Sequence, residues 1–117
     1  MKKILIADDN PAILEAVSLI LEDVGYETYT VSDDKIIKQI VSIKPDLILL
    51  DIWLSGQDGR EICKTLKNRN DTKNIPIIMI SANKDTSIIA KEAGANDFLE
   101  KPFDMDDLLT KVASYMS

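Results

Sequence analysis

Short apolar runs alternate with amphipathic stretches five times along this chain. Three of the runs, residues 4–7, 47–50 and 77–80, are continuously apolar. Runs of this length are typical of strands that are buried on both faces of a parallel sheet. Two other runs, residues 28–31 and 98–99, are interrupted or flanked by polar residues. The pattern therefore predicts three central strands and two edge strands.

The stretches between the strands carry apolar residues at helical spacing. The stripe is weakest in the fourth stretch, about residues 85–93. Asn10-Pro11 is typical of a helix start, and Gly25 and Gly94 stand where helices should end. The other stripes consist of Ile13, Leu14, Val17, Ile20, Leu21 and Val24; of Ile36, Ile37, Ile40 and Val41; of Ile62 and Leu66; and of Leu108, Leu109, Val112 and Tyr115.

A fivefold alternation of strand and helix requires right-handed crossovers and a parallel sheet. Because the wholly apolar strands must be central, the first strand is central and the second lies at an edge. The order 2-1-3-4-5 satisfies this condition, and it is the flavodoxin-like, doubly wound arrangement. We therefore predict an α/β fold of the (βα)5 type, formed by one domain over residues 1–117.

The predicted topology brings acidic residues together where ligands bind such sheets. Ligands bind outside the carboxyl ends of the strands, at the point where the strand order reverses, which here lies between strands 1 and 3. Asp8 and Asp9 follow the first strand, and Asp51 follows the third. Like charges at close range repel, so this cluster indicates a divalent cation. Carboxylate oxygens suit Mg²⁺, for which Mn²⁺ could substitute.

Two further polar residues follow strands at the same edge of the predicted sheet. Ser81 follows the fourth strand and Lys101 follows the fifth. With Asp51 they provide a nucleophilic carboxylate, a hydroxyl donor and a cation beside a metal site. These are the groups that a phosphoryl-transfer site uses.

Composition excludes several other classes of function. The net charge of −6 argues against nucleic acid or an anionic membrane as a direct partner. No apolar run approaches the roughly 20 residues of a membrane span. The absence of histidine excludes Ser-His-Asp and Cys-His catalysis and His-ligated metals. Cys63 is the only cysteine, so the chain has no internal disulfide, which fits a cytoplasmic protein. The turn after strand 1 has no glycines to cradle a flavin or dinucleotide phosphate.

Several separated motifs resemble those of the CheY-like receiver domains of two-component response regulators, and the resemblance runs from Lys3 to about Met116. It implies that Asp51 accepts a phosphoryl group from a phosphohistidine on a sensor histidine kinase or a phosphotransfer protein. It also implies a signalling domain that catalyses only its own phosphorylation and slow dephosphorylation. The motifs are Asp8-Asp9, Asp51, Asp58-Gly59, Ser81-Ala82 and Lys101-Pro102-Phe103.

The resemblance also implies a metal-binding set and a catalytic set. Asp9 would bind Mg²⁺ directly, Asp8 largely through water, and Asp51 and the backbone carbonyl of Trp53 would complete the protein ligands. Lys101 would pair with the site carboxylates and then with the phosphoryl oxygens. The Lys101–Pro102 peptide bond would be cis.

The same resemblance implies a switch and its output. Ser81 would hydrogen-bond the phosphoryl group, and Phe98 would turn inwards when Ser81 moves. The face formed by the fourth helix, the fifth strand and the fifth helix would then change and control a protein partner or an attached output domain. Trp53 and Asn83 would modulate the rate of dephosphorylation. We expect a monomer, with a phosphorylation-dependent dimer left open.

Other interpretations of these residues stay open. A haloacid-dehalogenase-type phosphatase also uses a strand-end Asp, but its second acid two residues later is Trp53 here, and the chain has no room for a cap insertion. A degenerate receiver that only docks would have lost the acceptor or the acidic pair, and neither is lost. Ser81 as a plain cap of the next turn and Phe98 as an edge-strand packing residue are further alternatives.

Overall fold

The structure, a computed structural model, describes residues 2–31, 35–54 and 56–116. Within these ranges it contains seven strands and five helices. In chain order they are β1 (Lys3–Ala7), α1 (Pro11–Asp23), β2 (Glu27–Val31), α2 (Ile36–Ile43), β3 (Leu47–Asp51), β4 (Trp53–Leu54), β5 (Gln57–Asp58), α3 (Gly59–Lys67), β6 (Ile77–Ser81), α4 (Thr86–Ala93), β7 (Asp97–Glu100) and α5 (Met105–Met116).

Five of these strands form one parallel sheet in the order β2-β1-β3-β6-β7. The two-residue strands β4 and β5 form a separate antiparallel hairpin, which the sequence pattern did not predict. When these two are left out of the numbering, the order is the predicted 2-1-3-4-5. The flavodoxin-like topology is therefore confirmed, with β2 and β7 at the edges.

Alternation along the strands divides the core into two layers. In β1, Leu5 and Ala7 pack in the layer that α2, α3 and α4 cover, whereas Ile4 and Ile6 pack in the layer that α1 and α5 cover. All five residues of β3 are buried, because helices lie on both faces of the sheet. This packing leaves the ends of the strands as the accessible part of the sheet.

The helix ends follow the predicted signals with one exception. The Asn10 side chain accepts hydrogen bonds from the backbone N–H groups of the first turn of α1, and Gly94 caps α4 with a left-handed φ of 86°. Val24, however, is 51 % exposed rather than part of the buried stripe. It is the C-cap of α1, because the helix has already ended at Asp23.

Candidate functional site

The three predicted aspartates lie together at the carboxyl end of the sheet. Asp8 and Asp9 follow β1 and Asp51 ends β3, and these two strands are parallel neighbours. One carboxylate oxygen from each aspartate lies within 4.8 Å of the others. Asp8 and Asp51 are buried, whereas Asp9 is exposed. The site is thus an acidic cluster that is exposed to solvent at Asp9.

Lys101 lies inside this cluster. Its Nζ is 2.9 Å from Oδ2 of Asp8 and 3.7 Å from Oδ2 of Asp51. The backbone N–H of Lys101 donates to the carbonyl of Ser81, and the Lys101–Pro102 bond is cis, as the resemblance implied. The other oxygen of Asp8 accepts a hydrogen bond from the backbone N–H of Asn10 at 2.9 Å. Both oxygens of Asp8 are therefore held by the protein.

Asp51 has the perturbed electrostatics of a crowded carboxylate. Burial, and secondly the charge of Asp8, raises the pKa of Asp51 to about 6, while Lys101 and a backbone hydrogen bond from Trp53 oppose the rise. The smallest contribution is repulsion from the more exposed Asp9. A cation bound among these oxygens would relieve the repulsion. Hard carboxylate oxygens at this spacing fit Mg²⁺, and the donor set is therefore consistent with the predicted metal.

Ser81 lies at the same edge, as the last residue of β6. β6 pairs with β3 so that Ile80 is opposite Asp51, and Ser81 is buried. The Ser81 Oγ accepts a hydrogen bond from the backbone N–H of Asn83 at 3.0 Å. This is the turn-capping contact that was the alternative interpretation of Ser81. The Asn83 side chain in turn accepts from the backbone N–H of Asp85, which places Asn83 in the loop before α4.

Trp53 is exposed in the β4–β5 hairpin, two residues after Asp51. Its backbone pairs with Asp58, and 57 % of its surface is accessible. The Arg60 guanidinium lies 5.2 Å from the centroid of its ring. Asp58 accepts hydrogen bonds from both Nε and a terminal nitrogen of Arg60, and it also caps α3. Sequence reasoning did not single out Arg60; its place two residues after Asp58 was the only available signal.

Gly59 is a second residue whose importance was missed. Gly59 is part of the Asp58-Gly59 motif, but the sequence pattern by itself does not explain why a glycine is needed there. A Cβ atom on Gly59 would clash with the backbone of Asp51 and Ile52. The first residue of α3 therefore lies directly against the end of β3, and only glycine fits there.

Phe98 lies in β7 and is partly buried against the layer covered by α2, α3 and α4. Phe98 pairs with Met79 of the neighbouring strand β6, and Met79 precedes Ser81 by two residues. The Lys111 Nζ lies 4.3 Å from its ring centroid, donates to the Phe98 carbonyl and pairs with Asp97 at 2.9 Å. The contacts of the Lys111 ammonium are therefore made within its own chain.

Two further findings bear on the chemical class. Cys63 is fully buried, and burial raises the pKa of its thiol to about 11, so it is an inert core residue. Across residues 2–31, 35–54 and 56–116, the structure has no helix with the length and apolar character needed to cross a bilayer.

Comparison with known proteins assigns the family. Residues 4–113 match the family described as response regulator receiver domain. The DNA-binding dual master transcriptional regulator RpaA of Synechocystis is 38% identical over 99% of this chain, and the nitrogen assimilation regulatory protein NtrX of Azorhizobium caulinodans is 43% identical over 91%. The chain spans 49% and 24% of the lengths of these two relatives.

Solved structures agree with this assignment. The chemotaxis response regulator CheY4 of Vibrio cholerae superposes with a TM-score of 0.90 at 29% identity, and the alignment covers 98% of both chains. A two-component response regulator from Clostridium difficile has a TM-score of 0.89 at 30% identity, with 99% of this chain and 96% of that chain covered. The chain therefore belongs to the response regulator receiver domain family, and its fold is that of CheY-like receivers.

Proposed function

We propose that this receiver domain is a phosphorylation-controlled switch in which Asp51 is the phosphoacceptor. The observation that carries the proposal is the position of the Lys101 Nζ, 2.9 Å from Asp8 and 3.7 Å from Asp51, inside a cluster of three carboxylates. A partly buried cation beside two buried carboxylates is expected where another, multiply charged anionic group is to be received. A purely structural ion pair would need only one of these carboxylates.

In the proposed reaction an oxygen of Asp51 attacks the phosphorus atom of a phosphohistidine. The new P–O bond forms as the P–N bond breaks, and the imidazole leaves with its electron pair and takes up a proton. Lys101 would pair with the incoming phosphoryl oxygens. Asp8, Asp9, Asp51 and the backbone carbonyl of Trp53 would hold Mg²⁺, which supplies charge neutralisation for carboxylates and phosphoryl oxygens when bound.

The proposed donor is a sensor histidine kinase or a phosphotransfer protein, in the cytoplasm. After transfer, Ser81 would exchange its hydrogen bond from Asn83 for one to the phosphoryl group. Phe98 would then turn inwards and change the face formed by α4, β7 and α5. That face would control a protein partner or an attached output domain, and Trp53 and Asn83 would influence how long the phosphoryl group persists.

Acetyl phosphate with Mg²⁺ tests the proposal, with intact mass and released inorganic phosphate as readouts. The wild type should gain one phosphoryl group and lose it slowly, and Asp51→Asn should gain none. Stoichiometric labelling of Asp51→Asn would overturn the choice of acceptor. Release of many equivalents of phosphate would instead indicate a phosphatase of the haloacid-dehalogenase type, and neither labelling nor release would indicate a docking module.

A second experiment tests the switch. Beryllofluoride, which stands in for the phosphoryl group, should produce NMR shifts at Ser81, at Phe98 and along α4. Shifts confined to the neighbourhood of Asp51 would contradict a switch that reaches the α4–β7–α5 face. Sedimentation of the same two samples should show a monomer without beryllofluoride and would reveal a dimer that depends on it.

A further inference from the structure

The side chains of Asp58, Arg60 and Trp53 form a connected unit near the acceptor strand, and of the three only Trp53 has a part in the proposed function. The Asp58 carboxylate accepts from the backbone N–H of Arg60, and it accepts from the Arg60 side chain at 2.9 Å and 2.7 Å. Two hydrogen bonds, from Nε and from one terminal nitrogen, therefore fix the plane of the guanidinium. Its Cζ then lies 5.2 Å from the Trp53 ring centroid, within the range of a cation–π contact.

The backbone ties the same unit to the acceptor strand. Trp53 is two residues after Asp51 and pairs with Asp58 across the β4–β5 hairpin. The N–H of Gly59 donates to the carbonyl of Ile52. Ile52 and Leu54 are buried on either side of Trp53 in the chain. The backbone of Trp53 also makes a hydrogen bond to the Asp51 carboxylate, so Trp53 lies next to the acceptor side chain.

An exposed tryptophan at this place calls for an explanation. Trp53 has 57 % of its surface in contact with solvent, so less than half of the residue is covered by the rest of the protein. The rigid Asp58–Arg60 pair provides a restraint, because a planar cation fixed at two points can hold an aromatic ring in one orientation. Holding an exposed side chain in one orientation costs conformational entropy. This cost suggests that the fixed orientation of the indole has a function.

We infer that Arg60, fixed by Asp58, is a positioning residue that holds the Trp53 indole beside the acceptor, where the indole limits the access of water to a phosphoryl group on Asp51. This inference rests on the proposed function, since it concerns the lifetime of the phosphorylated state. In the hydrolytic step, water oxygen bonds to phosphorus and the P–O bond to Asp51 breaks. The Asp51 carboxylate is regenerated, and inorganic phosphate leaves with both protons of the water, one of which it can then release to solvent.

The experiment compares Arg60→Met with Arg69→Met. Arg69 is a matched control, because it makes the same forked ion pair with an Asp two residues away and its side chain is also 41% exposed. The cation over the Trp53 ring is that of Arg60. Phosphorylated protein is freed of acetyl phosphate, and the loss of the phosphoryl mass is followed with time. Arg60→Met should hydrolyse about threefold faster than wild type, the size that a cation–π contact at an exposed site can supply. Arg69→Met should hydrolyse at the wild-type rate.

Two further readouts separate positioning from a general structural effect. Trp53 is the only tryptophan, so its fluorescence anisotropy reports the mobility of this indole alone. The anisotropy should fall in Arg60→Met and stay unchanged in Arg69→Met. In a double-mutant cycle, Arg60→Met should have no effect on the hydrolysis rate when Trp53 is already alanine, because Arg60 acts through the indole.

The outcomes distinguish this inference from the proposed function. If the wild type takes up no phosphoryl group, the proposed function fails and the inference falls with it. If the wild type is labelled and Arg60→Met hydrolyses at the wild-type rate, only the inference is overturned. It is also overturned if Arg60→Met accelerates hydrolysis equally with and without Trp53.

Discussion

A Cβ atom on Gly59 would lie 2.2 Å from the backbone carbonyl oxygen of Asp51. It would also approach the carbonyl oxygen and Cα of Ile52 to 2.8 Å and 2.9 Å. All three obstacles are backbone atoms, so no side chain can turn away to make room. The start of α3 and the end of β3 are therefore in direct backbone contact, next to the proposed acceptor.

Gly59→Ala should consequently destabilise the domain by at least about 2 kcal/mol, because the strand end and α3 must move apart. Urea unfolding followed by circular dichroism measures the change. Gly25→Ala is the control: it has open space around the new methyl group but a left-handed φ of 100°. It should cost only the strain of that conformation, about 1 kcal/mol. Equal costs for the two variants would contradict a steric origin at Gly59.

Asp51→Asn should raise the melting temperature of the metal-free domain. The variant removes a buried charge next to Asp8, and the Lys101 ammonium keeps its closer partner, Asp8. A gain of about 1 kcal/mol corresponds to roughly 4 °C in a chain of this size. Melts in EDTA measure it, with Asp9→Asn as the comparison. Asp9 is exposed, so its neutralisation should have a smaller effect. A lower melting temperature for Asp51→Asn would show that the carboxylates are not mutually strained.

Mg²⁺ should stabilise the wild type by mass action. At tenfold excess over the dissociation constant, the expected increase is about 1.4 kcal/mol. Asp9→Asn should respond little, because one of the three clustered carboxylates is gone. Asp23→Asn, at the end of α1, should respond like wild type. A wild type whose melting temperature ignores Mg²⁺ would remove the support for a metal site at Asp8, Asp9 and Asp51.

Lys111→Met should destabilise the domain more at neutral pH than in acid. Burial by itself would raise the pKa of Asp97, but hydrogen bonds from Lys111, from the Phe98 backbone and from Tyr115 hold it below its ordinary value. A carboxyl whose folded-state pKa is lowered stabilises the fold above its unfolded pKa, and this stabilisation is lost as the pH falls through the lower, folded value. Urea titrations should therefore give a loss of about 1 kcal/mol near neutral pH that shrinks below about pH 4.

Lys64→Met is the matched control for that experiment. Lys64 pairs with Glu61 at 3.6 Å with both side chains largely exposed, so its removal should change stability by less than about 0.5 kcal/mol at any pH. A pH-independent loss in Lys111→Met would indicate that the Lys111 ammonium stabilises the fold through the ring and carbonyl of Phe98 rather than through Asp97.

The Cys63 thiol should resist alkylation in the native state. The thiol is fully buried, so the reagent cannot reach the sulfur. Burial also raises its pKa to about 11, so little of the reactive thiolate is present at neutral pH. Reaction with a maleimide, followed by mass, should be at least about a hundredfold slower in buffer than in urea. Comparable rates would mean that α3 opens readily and that the packing of Cys63 is weaker than described.

The topology and the place of the site could be predicted from the chain alone, because both depend on local periodicity. Continuous apolar runs identify the central strands wherever they pack, and parallel strands end at one edge, so Asp8, Asp9 and Asp51 had to meet there. The prediction was wrong where the helical spacing of apolar residues continues beyond the end of the helix. Val24 matched the helical spacing of α1, but the helix ends before it and leaves it exposed.

The periodicity does not show which side chains that are distant in the sequence contact one another. Only the tertiary structure places Lys101 nearer to Asp8 than to Asp51, turns Lys111 back onto Phe98 and Asp97, and brings Gly59 against the backbone of the acceptor strand. The stack of Arg60 on Trp53 is of the same kind, since it depends on a two-strand hairpin too short to show a pattern. Such contacts depend on rotamers and on the packing of whole elements, whereas the order of the strands depends only on which residues avoid water.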